Sequence, residues 1–158
     1  MLCKLEIPTI FGLAGEKVLA QAEIFQPDVI LCVGQAGGRA AVTPERIAVN
    51  IRDAKIPDNA GNQPVGQFSV PGGLAAYFAT VPVLEMAERI GCLGIPATVS
   101  NSAGAFVCND VLYTLLHRFA NTQVQVGFIH IPYLPQQGNP SLPLENAVAA
   151  LMAAIEVL

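Results

Sequence analysis

The sequence has no tryptophan, only two histidines and an unusually small share of charged residues. Asp, Glu, Lys and Arg make up 13% of the 158 residues, about half of the usual ~25%. The eight Lys and Arg residues are scattered and the formal net charge is −4. A nucleic-acid-binding protein needs a stripe of Lys and Arg to neutralise phosphates, so we exclude that class. The low charge predicts large buried faces, including a subunit interface.

Long apolar segments are absent as well. The N-terminus lacks the apolar run of a signal peptide. The most apolar stretch, 144–158, carries Glu145 and Glu156 and is shorter than the ~20 residues of a membrane span. The four cysteines show no C-x-x-C spacing, and two histidines add too few ligands for a metal site. We therefore expect a cytoplasmic protein with reduced thiols, no metal and no membrane contact.

Short apolar runs alternate with helical patterns along the chain, which predicts an α/β domain with helices on both faces of the sheet. No linker or repeat interrupts it, so residues 1–158 are expected to form a single domain. Helices are predicted over 15–26, 81–91 and 107–119 and from about Leu142, with Ser141 as its cap; strands are predicted over 29–33, 47–51, 95–100 and 126–131; and 54–71 is a long polar loop.

A turn of small residues, 101–105, stands between a predicted strand and a predicted helix and places Cys108 at the opening of that helix. Unpaired N–H groups and the helix dipole favour a thiolate there, and the thiolate is the reactive form. We therefore predict that Cys108 is the nucleophile of a cysteine hydrolase, against the alternative of a buried structural cysteine. Cys3, Cys32 and Cys92 lack this setting and are expected to lie in the core.

A cysteine hydrolase needs a base that later protonates the leaving amine, and histidine suits this role at neutral pH. His117 lies nine residues after Cys108, which is about half a turn round the same helix, so it points away. His130 ends an apolar strand, where the sites of open α/β sheets gather, and elimination favours it. The residues alone do not choose the acid that orients the imidazole and leave four open: Glu45, Asp53, Asp58 and Asp110.

A glycine-rich segment, 34–39, follows the first predicted strand. It contains neither G-x-G-x-x-G nor G-x-x-x-x-G-K, so a nucleotide-binding role has little support. Its Gln35 carries a side-chain amide that can both donate and accept a hydrogen bond. This side chain suits the recognition of a cyclic or linear amide.

Six segments then carry a family resemblance: Gly34-Gln35-Ala36-Gly37-Gly38-Arg39, Glu45-Arg46-Ile47-Ala48-Val49-Asn50, Ile56-Pro57-Asp58-Asn59, Ala76-Tyr77-Phe78, Ser102-Ala103-Gly104-Ala105-Phe106-Val107-Cys108-Asn109 and Phe128-Ile129-His130-Ile131-Pro132. In this order they resemble the pyroglutamyl-peptidase I (pyrrolidone-carboxylate peptidase) family of cysteine peptidases. The resemblance extends along nearly the whole chain.

The resemblance implies a triad of Glu45, Cys108 and His130. Cys108 would attack the carbonyl carbon of the pyroglutamyl–peptide bond, His130 would take its proton and return one to the amine, and Glu45 would orient His130. The resemblance also implies that Gln35 reads the pyrrolidone amide and that three side chains line the ring pocket: Ile56, Phe106 and Val107.

The same resemblance implies a three-layer α/β/α sandwich around a mixed, largely parallel sheet, with no cofactor. It implies a cytoplasmic enzyme that forms homo-oligomers, with tetramers in the family, and that acts on peptides with an N-terminal pyroglutamate.

One departure from the family pattern is expected. The similarity begins around Leu5, so the family's N-terminal strand and Gly-Phe-x-Pro-Phe-Gly-Gly-like loop have no counterpart in this N-terminally truncated version. That loop supplies aromatic side chains that sandwich the pyrrolidone ring, and we therefore expect weakened peptidase activity. Two alternatives stay open: a non-catalytic remnant or assembly subunit of the same fold, and a cysteine amidase for another small cyclic amide.

Overall fold

The computed structural model describes residues 1–158 and builds two structural units from interleaved segments of the chain. The first unit consists of Met1–Ile30, Ile47–Phe78 and Ala103–Val126, and the second of Leu31–Arg46, Ala79–Ser102 and Gly127–Leu158. That the whole chain acts as a single domain stays a prediction.

Four helices and five strands make up the regular structure. They are α1 (Leu13–Phe25), β1 (Val29–Gln35), β2 (Thr43–Pro44), β3 (Ile47–Val49), β4 (Ala76–Phe78), α2 (Val83–Gly91), α3 (Val107–Phe119), β5 (Gln125–Ile131) and α4 (Leu144–Ile155). Strand pairing is both parallel and antiparallel, so the predicted α/β class with a mixed sheet is confirmed. None of the helices combines the length and the apolar character that crossing a bilayer requires.

In the first unit, α3 packs against α1 and against a two-stranded sheet. This sheet pairs β3 with β4 antiparallel, with Ile47 opposite Phe78 and Val49 opposite Ala76. Helix α3 is buried over most of its surface because apolar residues occupy more than one face of it. The buried apolar side chains after its first turn are Val111, Leu112, Tyr113, Leu115 and Leu116.

The second unit is built on a three-stranded sheet in the order β1-β5-β2, to which β1 and β5 contribute most of their residues. Strand β2 runs antiparallel to β5, with Thr43 opposite His130 and Pro44 opposite Ile129. Helix α2 packs on α4 and on β2. Strand β5 is buried along most of its length, which is why its sequence is almost continuously apolar.

Two of the predicted elements are wrong in detail. Residues 95–100 do not form a continuous strand but make two isolated parallel bridges, Val42 with Ala97 and Glu45 with Ser100. Helix α4 begins at Leu144 with Pro143 at its N-cap and no side-chain cap, so Ser141 does not have the predicted capping role. By contrast, α3 begins and ends at the predicted residues.

Pro44 explains the interrupted strand. The Thr98 N–H donates to the Val42 carbonyl at 3.1 Å, and the Ser100 N–H donates to the Pro44 carbonyl at 2.9 Å. A regular parallel ladder would place one more bond between these two, from the N–H of residue 44 to the Thr98 carbonyl. Proline has no N–H to donate, so the ladder breaks at this point.

We expect Gly127→Ala to destabilise the protein. A Cβ at Gly127 in β5 would lie 2.3 Å from Val81 Cγ2, and overpacking of this kind typically costs about 1–3 kcal/mol. Urea denaturation should show this loss in the free energy of unfolding. Gly91→Ala is the matched control, because a Cβ there meets nothing within 4 Å. A second change, Val81→Ala, should restore part of the loss, and equal stability of the two glycine variants would contradict the prediction.

Candidate active site

Glu45 and His130 meet on neighbouring strands of the second unit. The pairing of β2 with β5 continues to Glu45, whose N–H donates to the Phe128 carbonyl at 2.8 Å. The Glu45 side chain is fully buried and His130 is 3% exposed. Glu45 Oε1 lies 2.7 Å from His130 Nδ1. The strand register therefore places a buried acid against a buried imidazole.

This contact fixes the roles of the two ring nitrogens. An ionised carboxylate can only accept hydrogen bonds, so Nδ1 carries the proton that it donates to Glu45. In the neutral imidazole, Nε2 then keeps its lone pair and can act as a base. The Phe128 ring, with its centroid 4.6 Å from that of His130, packs against the imidazole. The arrangement holds one tautomer of a histidine ready to accept a proton at Nε2.

Gln35, the last residue of β1, lies at the same end of this sheet as the end of β5, because the Ala36 N–H donates to the Ile131 carbonyl at 2.9 Å. Its side chain is exposed. Gln35 Nε2 donates to Gln137 Oε1 at 2.6 Å, and the Leu134 N–H donates to the same oxygen at 2.8 Å. The amide group of Gln35 is thereby turned so that its Oε1 remains available to accept a hydrogen bond.

Cys108 belongs to the first unit, as the second residue of α3. The turn before the helix depends on Gly104, whose φ of +79° is unfavourable for other residues. Phe106 then takes an extended conformation at the N-cap without a side-chain cap. This leaves the N–H groups of the first turn to other acceptors. Cys108 is half-buried at this position.

Buried Asn109, beside Cys108, ties the start of α3 to the backbone around β3. Its Oδ1 accepts the Val49 N–H at 3.0 Å, and its Nδ2 donates to the carbonyls of Val49 at 2.8 Å and Ile51 at 3.1 Å. Both the oxygen and the nitrogen of the Asn109 side-chain amide are therefore hydrogen-bonded, which compensates for the burial of this polar group. Asn109 fixes the helix opening on which Cys108 lies.

The other cysteines do not all follow the prediction. Cys32 is buried as expected, but Cys3 and Cys92 are exposed, so their predicted place in the core is wrong. Cys3 lies in an irregular N-terminal segment, and Cys92 follows the last turn of α2, outside the buried face of that helix.

The predicted ring-pocket residues all lie in the first unit but differ in exposure. Val107 is buried, Phe106 is half-buried, and Ile56 is 64% exposed. The Phe106 ring packs edge-on against Phe11, with centroids 5.2 Å apart. The Asp53 N–H donates to the Ala105 carbonyl at 2.9 Å, which brings the segment leading to Ile56 alongside the turn before α3.

Two of the acids that the sequence left open have structural partners. Asp110 accepts hydrogen bonds from Arg52 Nε at 2.7 Å and from the Gly12 N–H at 3.0 Å. Asp58 organises its own loop by accepting the N–H groups of Ala60 and Asn62 and the side-chain amide of Asn62. It also accepts the N–H of Phe11 and so joins the loop to that distant segment. Neither acid has a histidine partner. Of the four candidates, Glu45 is the one bonded to an imidazole.

The environment of Asp58 also changes its pKa. Burial by itself would raise the pKa of this carboxyl, but the hydrogen bonds from Asn62, Phe11 and Ala60 outweigh burial and lower the pKa to about 2. Each of these donors stabilises the charged form. Asp58 is thus a fixed carboxylate of the loop.

His117 lies among aromatic side chains of the first unit. Its Nδ1 is 3.0 Å from the Tyr77 hydroxyl, and its ring stacks on Tyr113 with an interplanar angle of 12°. Burial raises the pKa of the Tyr113 phenol, and the nearby Tyr77 adds to the rise. His117 has no carboxylate partner, unlike His130. No group of three or more His, Cys, Asp or Glu side chains is placed to hold a metal ion.

Comparison with known proteins identifies the family of this chain. The sequence model of a family described as pyroglutamyl peptidase matches residues 1–158. The chain belongs to the pyroglutamyl peptidase family. A pyrrolidone-carboxylate peptidase of Levilactobacillus brevis is 52% identical over 161 residues, which cover 98% of this chain and 79% of the relative. A relative of the same name from a Thermoanaerobacter species is 46% identical, with 98% and 80% covered.

Solved structures agree with this assignment. The pyroglutamyl peptidase I of Bacillus amyloliquefaciens superposes with a TM-score of 0.93 at 44% identity, covering 97% of this chain and 77% of that one. A mutant pyrrolidone carboxyl peptidase of Pyrococcus furiosus gives a TM-score of 0.91 at 41% identity, with 96% and 78% covered. At these identities the likeness concerns both fold and family.

Sequence reasoning missed three residues that shape these sites: Arg39, Asn109 and Gln137. Arg39 belongs to the glycine-rich segment in which the Gln35 amide is the predicted functional group, and Asn109 follows the predicted nucleophile directly. Arg39 could have been found from the sequence, because an arginine beside glycines is unusual in a chain so poor in charge. The polar loop after β5 gave no signal for Gln137.

We expect Asp58→Asn to lower the free energy of unfolding at neutral pH and to make that free energy fall less in acid. The pKa of Asp58 in the folded protein is about 2, below the ordinary value of 3.8. The charged carboxylate therefore stabilises the fold at pH values above the unfolded pKa, and this stabilisation disappears as the pH falls through the folded pKa. Urea denaturation at pH 7, 4.5 and 2.5 measures the difference between variant and wild type. This difference should shrink between pH 4.5 and 2.5, whereas Glu88→Gln, at an exposed position of α2, should leave the pH dependence unchanged. A difference that stays constant with pH would count against the prediction.

Proposed function

We propose that this protein is a cysteine peptidase that removes N-terminal pyroglutamate from peptides, with Cys108 as nucleophile, His130 as general acid and base, and Glu45 as the orienting acid. The observation that carries the proposal is the buried hydrogen bond of 2.7 Å between Glu45 Oε1 and His130 Nδ1 in a member of the pyroglutamyl peptidase family. A fully buried acid on a buried imidazole is the supporting half of a nucleophile–base–acid arrangement.

In the proposed reaction, His130 Nε2 takes the proton from the Cys108 thiol. The thiolate attacks the carbonyl carbon of the pyroglutamyl–peptide bond, and the carbonyl oxygen becomes an oxyanion. The N–H groups at the start of α3 supply positive potential for that charge. The protonated His130 gives its proton to the leaving amine as the C–N bond breaks. Water activated by His130 then hydrolyses the thioester and releases pyroglutamate and the thiol.

Recognition of the substrate ring is assigned to Gln35, Ile56, Phe106 and Val107. The amide of Gln35 already donates to Gln137, so its Oε1 is the atom that would accept the N–H of the pyrrolidone ring. A buried or half-buried apolar wall at Phe106 and Val107 suits the ring methylenes. An N-terminal proline has a ring of the same size, but this ring lacks the carbonyl and its amine is charged. The same site would therefore bind a prolyl peptide less well than a pyroglutamyl peptide.

We propose a cytoplasmic homo-oligomer as the working form. The exposed thiols of Cys3 and Cys92 suit a reducing compartment. Large apolar side chains of the segment after β3 are exposed, including Phe68 at 65%, Leu74 at 64% and Phe78 at 67%. Side chains of this kind are typical of association surfaces. Sedimentation equilibrium tests the oligomer directly.

Cys108→Ser should abolish peptidase activity. Removing a nucleophile that acts together with its base usually costs more than ~10³-fold in kcat. The measurement is release of the fluorophore from a pyroglutamyl-coumarin amide. Cys92→Ser is the matched control, because Cys92 is more exposed than Cys108 and has no part in the proposed reaction. This variant should keep wild-type activity. Rapid alkylation of Cys108 at neutral pH, faster than that of exposed Cys3 and Cys92, would support an activated thiol, and equally slow alkylation of all four cysteines would favour a non-catalytic remnant.

Substrate profiling separates the proposed peptidase from an amidase of the same fold. Hydrolysis of the pyroglutamyl-coumarin amide, abolished by Cys108→Ser, would support the peptidase. Selective hydrolysis of a different cyclic amide, also abolished by Cys108→Ser, would instead identify an amidase.

A further inference from the structure

Arg39 is joined to three groups around the proposed general base. Its Nη1 donates to Glu45 Oε1 at 2.5 Å and to the Thr43 hydroxyl at 2.5 Å, and its Nη2 donates to the Ser102 carbonyl at 3.0 Å. Its side chain is only 26% exposed, and the Glu45 side chain is fully buried. The guanidinium is therefore held by side chains of the β2 region and by backbone of a separate segment of the second unit.

Glu45 depends on this contact. Burying an ionised carboxylate is costly unless it is paired and hydrogen-bonded. Its Oε2 has no hydrogen-bond partner, so Oε1 carries both of the side chain's polar contacts, from Arg39 and from His130. Neutral His130 supplies a hydrogen bond but no charge. Arg39 is thus the permanent positive charge that compensates Glu45.

The geometry also limits how Glu45 can rotate. Arg39 is anchored at Thr43, which lies directly opposite His130 in the β2–β5 register. A guanidinium fixed at Thr43 and Ser102 presents its Nη1 to one place only. Because the carboxylate must meet that nitrogen, its Oε1 is kept on the side of His130 Nδ1. Without Arg39, the carboxylate would be free to turn away from the imidazole.

We propose that Arg39 is a positioning residue for the proposed peptidase reaction, which holds the Glu45 carboxylate, and through it the Nδ1–H tautomer of His130, in the orientation that the reaction needs. The inference rests on the proposed function for its catalytic meaning, but the positioning itself concerns only the second unit. Arg39 touches neither the substrate nor the reacting atoms in this proposal. The planar guanidinium of Arg39 donates from Nη1 and Nη2 in two fixed directions at once, which the ammonium group of lysine does not do.

The kinetic test compares Arg39→Gln and Arg39→Lys with wild type on the pyroglutamyl-coumarin amide. Misplacement of a catalytic group by about 1 Å can cost ~10²-fold, so Arg39→Gln should lower kcat about 10- to 100-fold with KM changed less than about twofold. Arg39→Lys keeps the charge but loses the second anchor, and its kcat should fall between the two. A rise in KM at unchanged kcat, or full activity of Arg39→Gln, would overturn the proposal.

The spectroscopic test does not require activity. A histidine N–H bonded to a buried carboxylate gives a far-downfield proton signal, and with two histidines in the chain the His117→Gln variant assigns it in ¹⁵N-histidine-labelled protein. The signal of His130 Nδ1–H should be lost or shifted upfield in Arg39→Gln, and lost in Glu45→Gln. Thr43→Val, which keeps Arg39 but removes one anchor, should weaken it. An unchanged signal in folded Arg39→Gln would overturn the proposal even if wild type proves inactive.

Arg52→Gln is the matched control. Arg52 pairs with buried Asp110 at 2.7 Å and is 23% exposed, so it resembles Arg39 as a partly exposed arginine on a buried carboxylate. Both substitutions should lower the free energy of unfolding, but only Arg39→Gln should change the His130 signal. If both change it equally, the effect of Arg39 is general destabilisation and the positioning role falls. If wild type shows the signal and its dependence on Arg39 but hydrolyses no pyroglutamyl substrate, the proposed function fails and the positioning stands.

Discussion

Burying the Glu45 carboxylate imposes a constraint on the whole second unit, because a charge removed from water must find partners of matching geometry. The partners here are an arginine from the glycine-rich segment and a histidine from β5. Both partners must lie at the level of Glu45 along the sheet. The antiparallel register sets Thr43, which anchors Arg39, directly opposite His130 and so places both partners at that level. A slip of one residue would turn Glu45 to the opposite face and leave a histidine without its acid.

Pro44 is part of the same constraint. It removes the hydrogen bond that would have joined residue 44 to Thr98 on the parallel side, while the pairing with β5 continues to Glu45. The chain is nevertheless held on both sides of this gap, since the Glu45 N–H donates to Phe128 and the Arg46 N–H donates to Ser100. Short strands and isolated bridges thus hold the segment of Glu45 from both sides. This explains why the acid lies in a segment without an obvious strand pattern.

How far the sequence predicts the molecule depends on the range of the interactions involved. Helix α3 was predicted at both ends because small residues, an apolar repeat and the loss of that repeat are all local signals. The strands β2 and β4 were missed because two- and three-residue strands exist only through their partners. The choice of His130 followed from its position at a strand end and from the elimination of His117, whereas the residues alone did not choose Glu45, which only the family resemblance implies. The contact of Glu45 with His130 joins residues 85 positions apart, and no local pattern encodes it. Arg39 was missed although it lies only six positions from Glu45, because its irregular glycine-rich segment has no periodicity that shows which side chains meet.

Three buried acids of this chain show how environment assigns a role to the same functional group. Asp58 is surrounded by N–H donors of its own loop and of Phe11, which lower its pKa to about 2 and commit it to structure. Asp110 is divided between an arginine and one backbone N–H, so both of its oxygens are occupied. Glu45 alone places one oxygen between an arginine and an imidazole while its other oxygen has no partner. Of the three acids, Glu45 is the one whose hydrogen-bond partner is an imidazole, and an imidazole that becomes positive strengthens this contact. That partner, rather than burial itself, makes Glu45 the acid suited to the proposed proton transfer.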